Sequence, residues 1–304
     1  MKRFKNILVV YKHVIGDNDT LSQATALAKQ NNARVTLVDV IDSSANHSGA
    51  AIAERKKHLT RLAASIHEDG IKVDAIVLEG IPFLEIIQQV LRGEHDLVMI
   101  TAEGRGVVRE FFFGNTAMRL FRKCPCAVWV VNPRGRISYD RILTAVAPMR
   151  DDEEGRNLNF KIMELATSQA RIHSSEIHLV HAWEVTGPDL EILNNEPAVL
   201  DPEGTNEKIL QRHELMHKKS VEKLLENYDL TGIKLHIHLQ RGSPGTIVPK
   251  VSDENQIDLI IMGTVVRTGI PGFLIGNTAE TILRLVNCAV MTVKPDGFVS
   301  PVTL

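Results

Sequence analysis

A chain of 304 residues with 44% hydrophobic and 24% charged residues has room for one large domain or two of ordinary size. Its net charge of −2 excludes a protein whose main task is neutralising nucleic-acid phosphates, so no direct nucleic-acid partner is expected. No stretch approaches the roughly 18 apolar residues of a membrane span, and the apolar run in MKRFKNILVV is too short for a signal peptide. Three cysteines, Cys124, Cys126 and Cys288, suit a reducing cytosol better than a secreted disulfide framework, so cytoplasmic residence is the expectation.

In chain order, ILVVY (7–11), RVTLVDV (34–40), VDAIVLE (73–79), DLVMIT (96–101) and AVWVV (127–131) read as strands. Helical spacing fills the gaps: TLSQATALAKQNNA, the segment from about Ala50 to Glu68, PFLEIIQQVLRG, and a last helix from about Asn115 to Lys123. The order then repeats with ILTAV, EIHLVHAW, KLHIHLQ, DLIIMG and AVMTV. Residues 79–133 laid over 241–295 give 16 identities in 55 positions without a gap, and KNILVVYKHV (5–14) matches DRILTAVAPM (140–149). The chain is therefore a duplication, with halves at 1–133 and 140–304 joined through PRGRISY. The second copy carries 27 extra residues, mostly within 186–208, where Pro, Asn and acidic residues predict a long loop or lid.

Near-continuous apolar strands alternating with helices predict an α/β fold, each half a five-stranded parallel sheet flanked by helices. Ligands in such sheets bind beyond the carboxyl ends of the strands. A glycine-dotted loop leaves the fourth strand of each half there: TAEGRGVVREFFFGNT (101–116) and GTVVRTGIPGFLIGNT (263–278).

These loops, the paired halves and the closing CAVMTVKP resemble the universal stress proteins, in particular the tandem E-type members, over nearly the whole length. The resemblance implies two nucleotide-binding-like domains, a cytosolic stress-response role and little or no enzyme activity, weak ATP hydrolysis at most. ATP-binding members carry Gly, two residues, Gly, nine residues, then Gly with Ser or Thr, and an Asp ending the first strand. Here Gly263 and Gly276 fit, Val266 replaces the middle glycine, and Asn277 stands where Ser would. In the first half Gly104 and Gly114 fit, Thr101 replaces the first glycine, and Asn115 follows the third. Lys12 and Ala147 fall at the position of the Asp.

Valine is poorly suited to the positive φ that such a glycine can adopt, so Val266 changes the loop's path. Asn-Thr is a good helix N-cap, and the amides behind it, with Arg105 and Arg267 nearby, attract an anion. The candidate nucleotide or phosphate residues are thus Gly263, Arg267, Gly276, Asn277 and Thr278, with Gly104, Arg105, Gly114, Asn115 and Thr116 in the first half. ATP or AMP is the candidate ligand. The same turns can equally cap a helix and hold nothing, leaving a scaffold that works through protein partners or a non-nucleotide ligand under the 186–208 insertion.

HELMH (213–217) has the H-E-x-x-H spacing, and His236 and His238 share one face of the next strand. A zinc protease needs another architecture, so His213, His217, His236 and His238 are candidate ligands for a structural or adventitious zinc, or simply solvated imidazoles. His178 and His181 have no assigned role. Cys124-Pro-Cys126 is not a thioredoxin CxxC, and nothing adjacent in sequence lowers a thiol pKa, so the cysteines are expected to pack. The fifth strands, AVWVV and AVMTV, are expected to pair with each other, making an intramolecular pseudo-dimer that leaves a further homodimer surface open.

Overall fold

A computed structural model describes residues 4–14, 16–43, 48–103, 113–133, 138–149, 152–195, 204–264 and 275–304. The first half runs β1 (Asn6–Val10), α1 (Asp17–Asn31), β2 (Arg34–Asp42), α2 (Gly49–Glu68), β3 (Val73–Gly80), α3 (Pro82–Gly93), β4 (Leu97–Thr101), α4 (Gly114–Lys123) and β5 (Ala127–Val131). The second runs β6 (Arg141–Ala145), α5 (Glu153–His173), β7 (Glu176–Trp183), α6 (Pro188–Asn195), α7 (Thr205–Leu225), β8 (Leu235–Arg241), α8 (Pro244–Glu254), β9 (Leu259–Gly263), α9 (Asn277–Leu285) and β10 (Ala289–Val293).

All ten strands lie in one sheet of order β3-β2-β1-β4-β5-β10-β9-β6-β7-β8. Pairing is parallel within each half and antiparallel only where β5 meets β10, with Met291 opposite Trp129. The expected pairing of the fifth strands is thus present within one chain. Alternation along β1 shows the layering: Ile7 and Val9 enter the core under α1, α2, α5 and α7, while Leu8 and Val10 enter the one under α3, α4, α8 and α9. Both cores run through the seam. Arg122 pairs with Glu280 at 2.7 Å across it, and Gln88 donates to the Thr303 carbonyl at 3.1 Å.

One identity between the copies has a direct structural cause. The Asp96 carboxylate, just before β4, accepts the backbone N–H groups of Lys5 and Asn6 at 2.6 and 3.1 Å. Asp258 accepts those of Asp140 and Arg141 at 2.9 and 3.0 Å. Each acid satisfies donors at the start of its half's first strand, which would otherwise be costly to bury.

The 186–208 insertion departs from the expected loop. Its first part is α6, and α7 begins at Thr205. Pro188 opens α6, and Asp189 and Glu191 lie in its acidic first turn, a favourable arrangement at a helix N-terminus.

Candidate functional site

In each half the strand order reverses between the first and fourth strands, opening a crevice at their carboxyl ends. In the second half this is a cavity of about 380 Å³ lined by Ala145, Leu158, Ile162, Val180, Val248, Met262 and Ile282 among others. Among the described residues its polar wall is Asn159, Thr264 and Thr278, and no charged side chain of those residues lines it. The Asn159 amide accepts from the Ala147 N–H at 2.9 Å and donates to the Ala147 carbonyl at 3.0 Å. That amide holds the end of the first strand, where the nucleotide-binding pattern carries an acid.

Gly263 ends β9 against Leu158. A Cβ there would lie 2.6 Å from a Leu158 methyl, so the glycine makes room for leucine. Thr264 is buried and accepts from the Lys294 ammonium at 2.7 Å, while its carbonyl accepts the Gly276 N–H at 2.8 Å. Gly276 is the N-cap of α9 and no side chain caps the helix, so Asn277 is the first helical residue and the expected Asn cap is not formed. In α4 the helix begins at Gly114 itself, with φ +82°, and Asn115 again lies inside. Thr278 lines the cavity. Gly104, Arg105, Val266 and Arg267 lie outside the described residues.

The first-half crevice differs. A Cβ on Gly114 would come 2.3 Å from the Glu103 carboxyl carbon, so a carboxylate of the chain sits against the expected anion position. Lys12 lies 3.4 Å from that carboxylate. Deeper in, buried Asp39 pairs with His13 at 2.8 Å and Arg55 at 3.0 Å, and the His13 ring meets Tyr11 edge-on. Polar and charged side chains thus gather at the carboxyl ends of the first-half strands.

The four candidate metal ligands fall into two clusters on opposite sides of the sheet. His213 and His217 do lie on a helix, α7, as expected. His213 is 2.8 Å from Asp189, and His217 Nδ1 is 2.8 Å from His181 Nε2, whose other nitrogen donates to the Val146 carbonyl at 3.1 Å. The odd-numbered positions of β7 face α7, so His181 belongs to this side. His178 and β8 residues His236 and His238 point the other way, with His178 opposite His236 in register. His236 Nε2 is 3.0 Å from Glu176, and His178 Nδ1 is 3.0 Å from His238 Nε2. Sequence reading missed Glu176 and Asp189; Glu176, two residues before His178 on a strand, was findable from the period of 2.

Among the described residues one group has ligand atoms close enough for a metal ion: Glu176, His178 and His236, all within 4.8 Å of one another. His178 is 4% exposed and its Nε2 has no hydrogen-bond partner. Burial and the neighbouring His236 and His238 push the His178 imidazole down to about 4. Burial does the same to His181, to about 4, against the raising effect of the Val146 carbonyl.

The universal stress protein family matches residues 3–132 and 138–294, so the chain belongs to that family, as a tandem, E-type member with a stress-response role. It is 28% identical over 319 residues to universal stress protein E of Escherichia coli K12, covering 100% of this chain and 98% of that one. A universal stress protein E homolog of Haemophilus influenzae is 26% identical over 313 residues, covering 97% of this chain and 98% of its own. Among solved structures, a functionally unknown protein of Pseudomonas aeruginosa PAO1 superposes with a TM-score of 0.76 at 20% identity, covering 97% and 94% of the two chains. No described helix is long and apolar enough to cross a membrane.

Proposed function

We propose that this universal stress protein is a non-enzymatic regulator whose sensing site is the second-half cavity, and that the ligand there is an amphipathic anion. The carrying observation is the cavity wall: apolar from Ala145 to Ile282, without a charged group among the described residues, and with the uncapped N-terminus of α9 at its edge. An apolar body would fill the strand ends while an anionic head meets the helix dipole. ATP and AMP are the rival ligands at the same place. Leu158 over Gly263 and the engaged Asn159 amide favour the apolar ligand, and the Glu103 carboxylate disfavours any anion in the first half. The liganded state is then read by a protein partner.

Anilinonaphthalene sulfonate, an aromatic body with a sulfonate head, is a suitable probe. Its fluorescence titration should give one site per chain, and Ala182→Phe, which places a ring in the cavity, should weaken it about tenfold or more, equivalent to at least 1.4 kcal/mol. Calorimetric titration with ATP and AMP should be flat. A one-to-one nucleotide isotherm, with dye binding indifferent to Ala182→Phe, would overturn the reading.

The orphaned His178 Nε2 favours a second, independent site. Glu176, His178 and His236 offer a borderline divalent cation one oxygen and two imidazole nitrogens, a donor set suited to zinc. Zinc titration of the full chain should show a site lost in His236→Ala and retained in His213→Ala. Loss in the latter instead would return the site to the HELMH helix.

A further inference from the structure

Between the two halves lies a second cavity, of about 300 Å³, lined by Phe4, Asp96, Cys126, Lys161, Lys294 and Phe298 among others. Cys126 faces it, and the fully buried Cys124 lies behind with the two sulfurs 3.6 Å apart. Pro125 fixes the turn between them. Lys294, from the end of β10, is 5% exposed and donates to the Phe121 carbonyl at 2.6 Å as well as to Thr264. A dithiol in the first half thus shares its cavity with a buried cation supplied by the second. We infer that Cys124 and Cys126 form an oxidant-reactive dithiol, closed to an intramolecular disulfide by hydroperoxides, with Lys294 as its activating cation.

The chemistry follows from the hydrogen bond between the sulfurs. Burial raises the Cys124 thiol, but the S–H and N–H of Cys126, together with Lys294, bring it below the usual thiol range, while the same pairing holds Cys126 well above it. The pair therefore loses its first proton readily and its second reluctantly. Cys124 holds the negative charge in the resting pair, but only Cys126 faces the cavity. When the shared proton passes from Cys126 to Cys124 along the bond between the sulfurs, the Cys126 thiolate attacks the terminal oxygen of R–O–O–H. The O–O bond breaks, Cys126 becomes a sulfenic acid, and R–O⁻ takes a proton to leave as an alcohol. Cys124 then gives up its proton and attacks the Cys126 sulfur, expelling hydroxide, which that proton converts to water. Two thiols and one hydroperoxide give one disulfide, one alcohol and one water. The sulfurs must close by about 1.5 Å to reach bonding distance near 2.05 Å. Burial pushes Lys294 down to about 7, placing its proton within reach of transfer near neutrality.

Cys288 supplies an internal control. It occupies the repeat position of Cys126, but Val286 stands where a partner cysteine would, and burial pushes its thiol up to about 12. Trypsin releases residues 124–134 as one peptide that carries both reactive thiols and not Cys288. On treatment of the folded full-length protein with hydrogen peroxide, that peptide should lose two hydrogens, recover them with dithiothreitol, and do so faster than free glutathione reacts. Cys124→Ser should stop at a sulfenic acid on Cys126, trapped by dimedone, and Cys126→Ser should leave Cys124 unreacted. Lys294→Met, which removes the cation that favours the thiolate, should slow disulfide formation roughly tenfold. The wild-type result stands without that variant. A peptide that gains only oxygen, crosslinks between chains, or is no faster than glutathione would overturn the inference.

Discussion

Trp129→Ala should destabilise the whole chain by about 3–5 kcal/mol, the usual cost of deleting a large buried aromatic side chain. Trp129 is 2% exposed, lies opposite Met291 where β5 meets β10, and packs at a tilt against Tyr139, the buried tyrosine that ends the linker, with ring centroids 5.8 Å apart. Truncation opens a cavity at the seam, in a core to which both halves contribute. Differential scanning calorimetry should register a fall in melting temperature of roughly 10 °C. Because both cores run through the seam, the two halves should still melt in one transition. Two separated transitions in wild type would show that the halves fold independently and that the seam is a docked interface.

The second large effect is expected in acid. His178 and His181 titrate near 4 in the folded chain against 6.5 in the unfolded one, because burial opposes their charge. Between these values the unfolded chain binds protons that the native chain does not, so stability falls as pH falls from about 6.5 to about 4 and then levels off for these groups. Above about 6.5 both states hold neutral rings and the contribution is intact. The loss is up to about 3 kcal/mol for each ring, since one unit is worth 1.36 kcal/mol. The urea midpoint measured across this range should drop steeply, and His178→Leu should remove about half of the part that these two rings contribute. A flat profile would mean that the rings charge without penalty in the folded chain.

Much of the architecture was legible because it is written locally and twice. The ILVVY, DLVMIT and AVWVV runs could be assigned as buried strands from composition alone, and their copies fixed the repeat. Even Asp96 and Asp258 stood out as identities, although their role in tying down the start of each half needed the structure. The crevice positions were legible too, since the glycine loops leave the fourth strands. What filled the crevices was not. Leu158 reaches Gly263 from a helix more than a hundred positions earlier, and Glu103 meets Gly114 from eleven positions earlier. Neither contact leaves a spacing signal. The histidines were misgrouped for a related reason: a helix pair at i, i+4 and a strand pair at i, i+2 look adjacent in sequence, yet the sheet separates them. Lys294 was invisible beside Cys126, because the cation that acts on the thiols belongs to the other half.

The seam between β5 and β10 has a consequence for how the protein behaves when scarce. Three registered residue pairs hold the strands together there, a contact that two separate polypeptides would form or lose according to their concentration. Joined by a short connector, the halves meet at an effective concentration of roughly millimolar or above whatever the cellular copy number, so dilution does not part them. Stoichiometry is then fixed at one to one, and exchange with other half-chains is shut out. Under that protection one half could close its crevice with its own carboxylate while the other kept a cavity open, a division of labour that a symmetric pair of identical subunits cannot adopt.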